Sequence, residues 1–136
     1  MKNRRSFLKN AASGLAATGL AAVALPTEAM GVKLTGGLIH HVFFWLKEPG
    51  NSNQRKQFEQ AVADLLKVET IKMSHFGVPA STEARDVVDN SYTYSYMVIF
   101  GDQKGHDDYQ AHPLHDQFKT RINDLVTKVV VYDSVD

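Results

Sequence analysis

Leu38-Ile39-His40-His41-Val42-Phe43-Phe44-Trp45-Leu46 is a run of β-branched and aromatic residues, and that content spells a strand. Side chains alternate along a strand, so His40, Val42, Phe44 and Leu46 share one face and Ile39, His41, Phe43 and Trp45 the other. Both faces are apolar and each carries one histidine. A strand of this kind needs cover on both sides.

Downstream, Glu48-Pro49-Gly50-Asn51 reads as a turn, and Asn51 or Ser52 caps a helix to about Lys67. Phe58, Ala61, Val62, Leu65 and Leu66 form its apolar stripe. Val68 to Val78 reads as a second strand, with Ile71, Met73 and His75 alternating against Lys72, Ser74 and Phe76. Pro79 to Ser91 is a polar loop in which Arg85 pairs with Asp86 and Asp89, either to pin the loop or to gate a cavity mouth. Tyr92 to Phe100 is a third strand, with Tyr92, Tyr94, Tyr96, Val98 and Phe100 on one face. After Gly101 to Gly105 one helix runs to about Leu125, and Val126 to Ser134 closes as a fourth strand. The order β-α-β-β-α-β predicts a ferredoxin-like α+β domain: a four-stranded antiparallel sheet with helices on one face. Two helices leave the other face bare. A second copy, sheet against sheet, supplies the missing cover, so the expected assembly is a homodimeric α/β barrel.

The stretch Tyr109-Gln110-Ala111-His112-Pro113-Leu114-His115 marks a helix entrance. Proline suits a first helical position, where the N–H it lacks would have no partner. His112 then falls near the N-cap, and His115 lies a turn further in, facing as Phe118 does and roughly as Tyr109 does. A phenol and an imidazole held together there could do chemistry. The plainer alternative is that Tyr109 fills core while His112 caps the helix. His40 and His41 point to opposite faces, so at most one enters a cavity there. His75 reads as half-exposed and His106 as a surface residue. His112 and His115 at i, i+3, joined by His40, could hold an ion. Proline within the pair and the want of a carboxylate ligand argue against it, and no metal is expected.

The 136 residues hold fifteen basic, fifteen acidic and six histidine side chains, and no cysteine. Disulfides, thiolate metal sites and cysteine nucleophiles are therefore excluded. Met1 to Lys9 is basic with adjacent Arg4 and Arg5, Ala11 to Leu25 is mildly apolar, and small residues offer cleavage after Ala24 or Ala29. That is the layout of a secretory signal. Arg4-Arg5-Ser6-Phe7-Leu8-Lys9 resembles the twin-arginine export signal, whose substrates generally cross the membrane folded. The other reading is an uncleaved anchor, but the apolar run falls short of the roughly 20 residues a spanning helix needs. The expected organisation is a signal over 1–29, a linker over 30–37 and a domain over 38–136, with a periplasmic or otherwise exported product. Removing 1–29 leaves eleven basic and fourteen acidic residues, a mildly acidic domain with no basic stripe for nucleic acid. No membrane association is expected after cleavage.

Three anchors resemble the stress-responsive dimeric α/β-barrel (Dabb) family. They are His40-His41-Val42-Phe43-Phe44-Trp45-Leu46-Lys47, Tyr109-x-x-His112-Pro113-x-His115, and Val129-Val130-Val131-Tyr132-Asp133. The second is the specific one. The resemblance extends to olivetolic acid cyclase-type members, which close a linear polyketide without a cofactor. By that likeness Tyr109 and His115 would be the catalytic pair, with the histidine as base and the tyrosine orienting the substrate. His40, counted back from Lys47, would be the strand histidine facing the same pocket. A small apolar cavity is accordingly expected near His40, Tyr109 and His115, with Val42, Phe44, His112 and Tyr94 also lining it. Two functions follow: a stress-linked domain that binds a small apolar or aromatic molecule, or a cofactor-free enzyme, either a polyketide cyclase-like lyase or a monooxygenase.

Overall fold

The structure, a computed structural model, describes residues 31–136; the export signal expected over 1–29 lies outside them. Seven elements follow one another: β1 Leu38–Leu46, α1 Ser52–Leu65, β2 Ile71–Gly77, β3 Tyr94–Phe100, α2 Gln103–Gln110, α3 Pro113–Ile122 and β4 Val126–Val135. The strands form one sheet in the order β2-β3-β1-β4, and every neighbouring pair is antiparallel. This is the ferredoxin-like α+β fold. Among the described residues no helix is long and apolar enough to cross a membrane.

β1 alternates buried and half-buried residues along its whole length. Leu38, Val42, Phe44 and Leu46 lie in the core with Tyr94, Tyr96, Val98 and Phe100 of β3. Helix α1 begins where the Asn51 side chain accepts the N–H groups of Asn53 and Gln54 at 3.1 and 3.2 Å. Its stripe of Phe58, Ala61, Val62 and Leu65 then lies against the sheet. Asp64 accepts from Arg121 at 2.7 Å, which ties α1 to α3. On the other sheet face Ile39, His41, Phe43 and Trp45 remain half-buried, with Tyr132 64% exposed beside them.

Three expectations are corrected. The single helix expected from Gly105 to Leu125 is two, broken at Ala111-His112. Proline disfavours a helical residue before it, and His112 is extended at φ −73°, ψ 139°. Ile71 and Phe76 were expected on opposite faces of β2, yet they oppose Phe100 and Tyr96, both core residues. A bulge between Ile71 and Met73 adds one residue and resets the alternation. Tyr92 precedes β3 and leaves the phase of Tyr94 and Tyr96; its ring lies 4.9 Å from Phe43, on the outer face.

Candidate functional site

Helix α2 starts at Asp102, whose side chain accepts the Gly105 N–H at 2.8 Å, and ends with Tyr109 buried beneath it. The chain then turns through Ala111 and His112 into α3. His112 Nδ1 accepts the Leu114 N–H at 3.0 Å, so the imidazole itself is the cap. Its proton therefore sits on Nε2, 3.3 Å from the Glu69 carboxylate. His115, in the first turn of α3, folds its ring back over Tyr109 with centroids 4.7 Å apart. Its Nδ1 lies 3.2 Å from the Gln110 carbonyl oxygen. A carbonyl can only accept, so Nδ1 carries the proton and Nε2 keeps a free lone pair.

Beneath α2 and α3, the inner face of the sheet supplies the second half. Tyr96 on β3 and Tyr109 on α2 bring their hydroxyls to 3.1 Å, both buried. His40 on β1, 5% exposed, places Nδ1 2.6 Å from the carboxylate of Asp133 on β4. Its ring is 5.8 Å from that of Tyr109. Between the helices and the β1–β4 half of the sheet lies a cavity of about 240 Å³. Val42, Phe44, Phe118, Ile122, Val129 and Val131 make most of its wall, while His40, Tyr96, Tyr109, Gln110, His115 and Lys119 supply polar atoms. β4 is an edge strand and the helices do not reach over it, which leaves Val129 and Val131 each 45% exposed.

Burial sets the electrostatics. It is the main cause that lowers the pKa of His115; the adjacent Lys119 acts the same way, and the Gln110 carbonyl opposes it. His40 is lowered by burial against the pull of Asp133, so both imidazoles favour the neutral form. Burial pushes the Tyr109 phenol up to about 12 and drives Tyr96 higher still, with Tyr109 reinforcing the effect. Both phenols are donors throughout the physiological range.

Of the residues named from sequence, His40, Val42, Phe44, Tyr109 and His115 border this cavity. His112 and Tyr94 do not. His112 is held at the α2–α3 junction by its cap and Glu69. Tyr94 sits on the β2 side of β3, stacked on Phe58 at 5.0 Å, and its hydroxyl donates to Glu59 at 2.5 Å. His41 is on the outer face, bonded to Ser95 Oγ at 2.8 Å, and His75 is exposed on β2. The Arg85–Asp89 loop does not gate the cavity: Asp89 borders a separate outer-face hollow with Phe43, Trp45, Tyr92 and Tyr132. Of the tyrosine stripe on β3 it is Tyr96, not Tyr94, that borders the cavity, and Asp133 is a site residue absent from the expectation. Alternation from Val129 and Val131 puts Asp133 on the inner face, a signal that was present in the sequence.

The family model for the Stress responsive A/B Barrel Domain matches residues 38–136. A stress-response A/B barrel domain-containing protein of Arabidopsis thaliana is 25% identical over 100 residues, which are 73% of this chain and 86% of that one. Among solved structures, a dimeric ferredoxin-like protein of unknown function from Thermobifida fusca aligns with a TM-score of 0.61 and 18% identity, over 75% of this chain and 92% of its own. The hydroxynitrile lyase from Passiflora edulis aligns at 0.63 and 17% identity, over 76% and 95%. At these identities the two structures share the fold with this chain.

Proposed function

The chain belongs to the stress responsive A/B barrel domain family, its domain spanning residues 38–136, and from that premise we propose that it binds one small, mainly apolar molecule in the cavity of each subunit of a homodimer. The observation that carries this reading is a wall of aliphatic and phenyl groups interrupted by two neutral imidazoles and a phenol pair. Sites for small ligands have this make-up, with a few placed polar groups in an apolar hollow. At about 240 Å³ the space suits a single-ring molecule. Its polar substituent would donate to His115 Nε2 or accept from the Tyr96–Tyr109 pair. Dimerisation rests on the half-buried outer face of β1 and on the dimeric Thermobifida fusca neighbour. Calorimetric titration with phenol and resorcinol tests the binding reading. Saturable binding, weakened at least tenfold by Val131→Trp, supports it; no saturable heat with either compound overturns it.

The second reading is a cofactor-free enzyme in which His115 Nε2 takes a proton from a bound carbon acid and Tyr109 polarises the substrate, as a polyketide cyclase-like lyase or a monooxygenase would require. The observation in its favour is that Nδ1 of His115 is tied to a carbonyl, leaving the ring oriented and the Nε2 lone pair free to take a proton. The Passiflora edulis lyase bears on this as an analogy of fold. His115→Gln abolishes any such turnover while retaining ligand binding within a few fold.

Export through a twin-arginine-type signal over 1–29 is also part of the proposal, on the strength of Arg4-Arg5-Ser6-Phe7-Leu8-Lys9 and the small residues before Ala24 and Ala29. N-terminal sequencing of the protein from the exported fraction gives a start after Ala24 or Ala29. A product retained in the cytoplasm with its first residues intact contradicts it.

A further inference from the structure

We propose that His40, His106 and Asp133 form a binding site for a divalent transition metal at the edge of the cavity. Among the described residues these three bring one nitrogen, one nitrogen and one carboxylate oxygen all within 4.8 Å of one another. They come from three elements, β1, α2 and β4, and converge only in the folded chain. The β1–β4 register sets His40 directly opposite Asp133. α2 then lays the His106 ring over His40 with centroids 5.4 Å apart. Two imidazoles and one carboxylate are the donor set of open zinc and non-haem iron sites. The chain has no cysteine to offer a competing thiolate site.

The surroundings suit ligation. His106 Nδ1 lies 3.2 Å from the Asp107 carboxylate, which fixes that nitrogen as the protonated one. Its Nε2 is then the free donor, and it now receives the Gln110 side-chain N–H at 3.2 Å. A carboxylate behind a ligating imidazole orients the ring and raises its basicity. A zinc tetrahedron with bonds of about 2.0–2.1 Å needs donors roughly 3.3 Å apart, so no separation has to close by more than about 1.5 Å. His40 and Asp133 must instead move apart from their 2.6 Å contact as the proton leaves His40 Nδ1, and Asp133, with its side chain 46% exposed, has room to do so. His40 and Gln110 both line the cavity, so the cluster adjoins it, although the site does not depend on the cavity holding a molecule.

The set differs from the one considered from sequence. His112 and His115 do not join His40: among the described residues the donor atoms that come together are those of His40, His106 and Asp133, and His112 is held at its cap and by Glu69. His106, which read as a surface residue, takes their place with its side chain only 14% exposed.

The test is calorimetric titration of Zn²⁺ into tag-free, chelator-treated protein, with the visible spectrum of the Co²⁺ form as a second readout. One equivalent per chain is expected, with Co²⁺ absorption of a low-coordinate site. His106→Gln and Asp133→Asn should each weaken binding at least thirtyfold while circular dichroism stays native; His112→Gln should change it less than threefold. Absence of binding, or binding that survives both substitutions, overturns the proposal. Neither result bears on phenol binding, which is measured on the metal-free protein.

Discussion

His40 and Asp133 stand directly opposite each other in the antiparallel pair of β1 and β4, and 2.6 Å separates His40 Nδ1 from the Asp133 carboxylate. Their meeting is a consequence of register. A slip of one residue would turn His40, Val42 and Phe44 to the outer face together. The apolar pattern that buries Val42 and Phe44 therefore also delivers His40 to the cavity.

Tyr96 and Tyr109 form a buried hydroxyl pair at 3.1 Å. Replacing either by Phe leaves the other phenol without its partner, at a cost of about 1–3 kcal/mol. The double variant should lose less than the sum of the two, because no orphaned group remains. Urea denaturation of the four proteins measures this. Additive losses would mean that the hydroxyls do not support each other.

His112 and His115 have different duties despite their three-residue spacing. His112→Ala removes the cap of α3 and should cost about 1 kcal/mol in stability, with phenol affinity changed less than threefold. Denaturation and calorimetry on the same variant separate the effects. A large loss of affinity would place His112 in the binding site after all.

Burial lowers the pKa of His115 in the folded protein below its ordinary value of 6.5. Between the lowered value and 6.5 the unfolded chain holds the extra proton. Stability from this group is complete above pH 6.5 and is lost as pH falls toward the folded value. Thermal melts from pH 8 to pH 5 should therefore decline less steeply for His115→Gln than for the native protein. Identical slopes would show that the imidazole is not desolvated.

Phe43 and Trp45 are half-buried on the outer face of β1, where the proposed dimer would pack a second sheet. Phe43→Glu places a charge there and should convert a dimer to a monomer in sedimentation velocity, with native circular dichroism. A monomeric native protein, or a dimer that ignores the substitution, contradicts sheet-to-sheet assembly.

Much of this arrangement is legible in the chain. The two-faced strand at Leu38–Leu46, the stripe of α1 and the Pro113 signal each follow from local chemistry. What escaped depends on pairing. The bulge after Ile71 leaves no mark on Lys72 itself, since an extra residue in a strand is defined only by its partner. Tyr96 meets Tyr109 only after α2 lies across β3, and His106 approaches His40 only when α2 covers β1. The helix break has a different origin: Pro113 both starts α3 and forces His112 out of the helical region, which ends α2.

The most direct measurement is an imidazole-selective NMR titration of the metal-free protein with phenol. The account predicts saturable shifts at His115 and His40, which line the cavity, at one phenol per chain. His41 and His75, on the outer face, should stay in place. Shifts confined to the outer-face histidines, or no saturable shift at His115, would contradict a binding cavity at this site.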